Sequence, residues 1–176
     1  SAIFAILFLA GHSDAMAQLH EDTVVKTGKF TEDIFASGSH VTIRAEVDAG
    51  VIAMGRAVDI RSQISGDVVA MGGKVTVGDQ VGGDILVAAG AIKTAGTVGG
   101  DLDAVGGNIK LQATVSGDIF AMGGRADVGG RIGGDLKLAG GLVEISANVA
   151  GDRKSTRLNS SHKPSSSAVF CLKKKK

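Results

Sequence analysis

The chain has no Trp and no Tyr, and a single Pro and a single Cys among its 176 residues. One Cys excludes a disulfide framework and a thiolate metal site. The shortage of aromatics removes the stacking platforms that a carbohydrate-binding surface uses. No Walker motif is present, and the four histidines have no companion ligands at metal-binding spacing. What replaces these is Val, Ile, Leu, Ala and Gly in a regular order.

Both ends read differently from the middle. Ala2 to Gly11, "AIFAILFLAG", is a short apolar block followed by "HSDAMAQ". Ala15 and Ala17 form a small-x-small site that predicts export with signal cleavage before Gln18; an uncleaved membrane anchor is the alternative. From Asp152, "DRKSTRLNSSHKPSSSAVFCLKKKK" reads as a translated sequencing adapter, an artefactual tail expected to be disordered, with the authentic sequence cut at or near Gly151. It holds both the Pro and the Cys, Pro164 and Cys171, so no function is given to either. Residues 18–151 carry 11 Lys and Arg against 16 Asp and Glu, a net of −5, whereas the whole chain is +1. That balance predicts no nucleic-acid partner.

The middle repeats every 17 residues. Asp67, Asp84, Asp101, Asp118 and Asp135 are spaced by that period, and Asp33 lies two periods before Asp67 with Gly50 between them. A fixed period of this length means stacked repeats. Written in lines of 17, one place after the Asp gives Ile34, Val51, Val68, Ile85, Leu102, Ile119 and Leu136, and three places after it Ala or a larger aliphatic. The place between varies: Phe35, Ile52, Val69, Leu86, Asp103, Phe120, Lys137. That is strand alternation, with the uniform columns inside and the variable one outside. A second strand runs through the Val41 and Ile43 columns around a polar one, Thr42 to Glu144. A third, shorter strand is marked by Val47, Ile64, Val81, Val98, Val115, Ile132 and Val149. No spacing of 3 to 4 persists long enough for a helix.

These columns predict an all-β fold: a three-sided parallel β-helix solenoid of about seven coils over residues 33–151. Residues 18–32 form either a leader or a partial coil, since Val24 and Phe30 keep the columns one line earlier. A lone coil buries too little to offset its ordering entropy, so coils are stable only when stacked. Glycines punctuate the corners, as Gly-Gly pairs and as Gly66, Gly83, Gly100, Gly117 and Gly134 just before the aspartates; left-handed φ is the expected reason. Each Asp is expected to bond N–H groups of its own corner, offsetting the repulsion between stacked carboxylates. A ladder of cation sites is the sharper alternative, but the spacing lacks the GGxGxD pattern of calcium β-rolls. Ser65 and Ser116 read as small corner residues, and His20 and His40 as surface groups. No catalytic residue, metal site or cofactor is expected. Phe35, Ile52, Val69, Leu86 and Phe120 form an outward apolar stripe, read either as incidental exposure or as a surface for lateral pairing or membrane contact.

The stretch "ISGDVVAMGGKVTVGDQVGGDILVAAGAIKTAGTVGGDLDAVGGNIKLQATVSGDIFAMGG" resembles the bactofilins, the polymer-forming cytoskeletal proteins, over about residues 33–151. The resemblance implies a right-handed triangular β-helix that joins end to end into filaments without nucleotide. It also implies an envelope-associated scaffold whose main partner is itself, with the membrane or envelope proteins as further partners. The export signal departs from the cytoplasmic members and points to an exported or membrane-associated type, in the periplasm or at the cell envelope. Two other classes stay open. A monomeric exported β-helix binding envelope components would show aromatic platforms, which are scarce here. A left-handed acyltransferase would show a six-residue rhythm and a placed histidine, and the line here is 17.

Overall fold

A computed structural model describes residues 23–157 and 170–171. The proposed signal residues Ala15, Ala17 and Gln18, and His20, lie outside them. Within the described residues the chain is all β: β1 (Thr23–Phe30), β2 (Ile34–Val47), β3 (Val51–Arg61), β4 (Val68–Gly78), β5 (Gln80–Val81), β6 (Ile85–Val98), β7 (Leu102–Val115), β8 (Ile119–Ile132), β9 (Leu136–Ile145), β10 (Asn148–Val149), β11 (Arg153–Arg157) and β12 (Phe170–Cys171). Successive long strands pair in parallel in the order β1-β2-β3-β4-β6-β7-β8-β9-β11. The register is one period throughout: Val68 pairs with Ile85, Ile85 with Leu102, and Leu102 with Ile119. The result is a β-solenoid of about eight turns.

β1 supplies the partial first coil, pairing Thr23–Phe30 with His40–Val47. Where three short strands per coil are expected, β2, β6, β7 and β8 each run 14 residues through two corners. The Gly-Gly corner survives as a single skipped rung: Gly106 pairs with Gly123 and Asn108 with Arg125, while Gly107 and Gly124 are passed over. One residue turned out of the ladder bends the strand without ending it.

The uniform columns are the core. Ile34 and Ala36 are 4% and 5% exposed, and the deeper members of the same columns are almost fully enclosed. β-Branched side chains dominate because they pack at fixed χ1 against identical neighbours one coil away. Thr94 interrupts one inward column: it is fully buried, and its Oγ1 has no hydrogen-bond partner.

The ladder also passes Gly151. β11 pairs Arg153–Arg157 with Leu136–Gly140, and β12 adds a short antiparallel pairing with Lys154 and Ser155. Part of the tail expected as disordered is therefore extended strand. An open parallel edge accepts any extended segment through backbone hydrogen bonds, whatever its side chains.

Candidate functional site

The aspartates do not bond their own corners. Each reaches one coil onward: the N–H of Asp84 donates to Asp67 Oδ1 at 2.9 Å, that of Asp101 to Asp84 Oδ1 at 2.8 Å, and that of Asp118 to Asp101 Oδ1 at 2.7 Å. Asp135 donates to Asp118 Oδ1 at 2.8 Å and Asp152 to Asp135 Oδ1 at 2.9 Å. At the other end the Gly50 N–H donates to Asp33 Oδ1 at 2.8 Å. The column is a chain of charge-assisted bonds that staples each coil to the next. Gly50 has no carboxylate to offer Asp67, and there the chain breaks.

The glycine before each Asp has a reason other than its φ. Gly66, Gly83, Gly100, Gly117 and Gly134 do not have left-handed φ. A Cβ added at Gly83 would overlap Asp67 Oδ1, and one at Gly100 would overlap Asp84 Oδ1. At Gly83, Gly100, Gly117 and Gly134 the empty Cβ position is the seat of the incoming carboxylate; at Gly66, one coil after Gly50, no carboxylate arrives and the Ala49 backbone 2.8 Å away would crowd a Cβ. The Gly-Gly corner is likewise a close approach, since a Cβ at Gly106 would fall on the Ala89 carbonyl oxygen. Left-handed backbone occurs elsewhere, at Gly28, Asp79, Gly96 and Gly130.

Among the described residues no group of three or more His, Cys, Asp or Glu is arranged to hold a metal ion. Ser65, Ser116 and His40 are exposed at corners. Arg44, Arg61, Ser62, Gln63, Asp79 and Gln80 line a polar cleft at the corner twelve places after the Asp column. On β1, Lys29 bridges Glu46 at 2.9 Å and Asp48 at 3.3 Å, and hydrogen bonds to those two carboxylates raise its pKa.

In the apolar stripe Phe35 is 60% exposed, Leu86 49% and Phe120 40%, with Ile52 and Val69 half-buried. A second apolar column lies beside it, two places further on: Met54, Met71, Val105 and Met122 are all exposed. The sequence reading missed it by stopping the alternation at the glycine corner. Continued one step, the same alternation turns these residues outward. No helix among the described residues is long and apolar enough to cross a membrane.

Scans of family models, curated proteins and solved structures each found no match to this chain.

Proposed function

We propose that this chain is a bactofilin-like scaffold of the bacterial cell envelope, exported and self-assembling, whose solenoids stack end to end into filaments without nucleotide. The supporting observation is that its coils share one register and one set of inward columns. Every inward column and every rung repeats at 17 residues, so a terminal coil offers another copy the kind of surface that each coil already offers its neighbour. Strand edges and an open aliphatic core are strong templates for pairing unless blunted. The described strands at the two ends, β1 and β11, carry no Pro, and their charges are confined to Lys26 and Lys29 on β1 and Arg153, Lys154 and Arg157 on β11. A right-handed coil and an envelope location belong to this proposal, as the family resemblance implies. The action is mechanical and not enzymatic.

A monomeric envelope-binding module is the second reading, and the exposed Phe35, Leu86 and Phe120 favour it. Negative-stain electron microscopy separates the two, using the full chain and residues 18–151 purified without nucleotide or added metal. Long unbranched filaments support the scaffold. Dispersed rods about 35 Å long, as eight coils at roughly 4.8 Å would give, overturn it in favour of the binding module.

A further inference from the structure

The sheet face between the Gly-Asp corner and the Gly-Gly corner is mainly apolar across two adjacent columns, one through Leu86 and one through Met71, interrupted by Ser37, Asp103 and Lys137. Its two long edges differ in charge. One is the carboxylate ladder, where Asp67, Asp84, Asp101 and Asp118 are exposed; the other carries the exposed Arg56, Lys74 and Arg125. We infer that this face pairs with the same face of a second copy, about a two-fold axis parallel to the solenoid axis.

Charge selects the axis. A two-fold parallel to the solenoid exchanges the two edges and keeps the height, so Asp67 lies over the other copy's Lys74 and Asp118 over its Arg125, while Arg56, in the coil that has Gly50, lies between the levels of Asp33 and Asp67. A two-fold perpendicular to it sets aspartate ladder on aspartate ladder, which like-charge repulsion opposes. Shape agrees with the parallel choice. Each coil then meets the same coil of the second copy, with its first outward column over the other's second, so Phe35 meets Ser37 and Leu86 meets Ala88, large against small, while Ile52, Val69 and Phe120 meet Met54, Met71 and Met122, apolar on apolar, and Asp103 meets Val105. A perpendicular axis instead puts Phe35 over Lys137 and Val69 over Asp103.

Size sets the strength. Seven strands roughly 4.8 Å apart and five residues of about 3.3 Å give a face of about 500 Å², or about 1,000 Å² for the pair. That is the lower limit for a specific interface, so an isolated pair is weak and salt-sensitive. Copies already joined end to end would pair far more firmly, because each added contact is intramolecular. A bilayer is the poorer occupant: the face has no Trp or Tyr to anchor it, and anionic headgroups repel its aspartate edge.

Cross-linking the full chain with a short bismaleimide tests this, with Cys171→Ser as background and either Met54→Cys or Met122→Cys added. The parallel axis brings Met54 near Met54 and Met122 near Met122, so each variant is expected to cross-link alone. The yield should drop several-fold in 1 M salt and at least fivefold with Lys74→Glu and Arg125→Glu together. It should vanish with Leu86→Lys, whose fold circular dichroism checks. Cross-linking only in a mixture of the two variants means the perpendicular axis and overturns the inference. No cross-link in any sample also overturns it, as does one that Leu86→Lys leaves unchanged. Flotation with phosphatidylglycerol vesicles, in place of cross-linking, would give the face to a membrane. Filaments without cross-links remove this inference and leave the scaffold standing; cross-linked pairs without filaments do the reverse.

Discussion

Two corners of this solenoid show different ways of turning the same chain. The Gly-Asp corner follows one rule in every coil but that of Gly50: a carboxylate from one coil occupies the space of a missing Cβ in the next and accepts that coil's N–H. The corner twelve places after the Asp takes two forms. Ala45, Ser62, Ala113 and Ala147 turn inward and are buried, while Asp79, Gly96 and Gly130 stay exposed with left-handed φ of 70°, 94° and 96°. Ser62 shows what the inward form requires: its Oγ accepts the Ala45 N–H at 3.2 Å and donates to the Ile43 carbonyl at 2.9 Å, replacing backbone bonds lost where β3 ends. The first corner is held by contacts between coils, and the second is set residue by residue by backbone conformation. Substitution should therefore act at the first through the neighbouring coil and at the second within the coil itself.

The largest effect is expected at the second corner. Gly96→Ala places a Cβ on the Asp79 carbonyl oxygen in a backbone region that L-residues avoid. Neither partner can swing aside, and the loss should reach about 3 kcal/mol, read as a lower urea midpoint. Gly100→Ala should cost less, about 2 kcal/mol, because the Asp84 carboxylate it displaces is a side chain that can move away, leaving the Asp101 N–H unpaired. A loss equal to that of Gly96→Ala would mean that backbone crowding governs both corners.

Asp101→Ala against Asp101→Asn sharpens the point. The alanine leaves the Asp118 N–H without its acceptor and should lose about 1–2 kcal/mol. The asparagine keeps an oxygen in place and removes a repelling charge, and should lie close to the parent in thermal unfolding. Equal losses would show that charge, and not the acceptor, matters.

Two gains of about 1 kcal/mol each complete the series. Gly50→Asp should mend the one gap in the ladder by offering an oxygen to the Asp67 N–H; its Cβ would lie 3.2 Å from both Asp33 Oδ1 and the Asp67 carbonyl oxygen, contacts that a shift of a few tenths of an ångström relieves, and Gly66 has no Cβ in the carboxylate's seat. Asp79→Gly should relieve the one left-handed non-glycine among the described residues. Both would appear as raised midpoints, and a lowered midpoint for Gly50→Asp would mean that the break serves to end the carboxylate repulsion.

The period, the inward columns and the outward stripe are all legible in the chain, because a side chain in a stacked coil meets copies of itself and the pattern is repeated seven times. The second apolar column, Met54 to Met122, is legible too once the alternation is carried across the glycine pair instead of being stopped there. The destination of each carboxylate is not legible. Turn chemistry treats a corner as local, whereas Asp67 and Asp84 belong to different turns of the coil and are brought together by stacking.

By itself, then, the order of residues determined the all-β class, the 17-residue coil and the membership of the core, since burial of aliphatic columns depends only on period and alternation. Only the stacked structure decided that the aspartates staple coil to coil, that their glycines are empty seats, and that an acidic and a basic edge border one apolar face. Those properties depend on distances between residues 17 apart, and such distances do not exist until the coils have closed on one another.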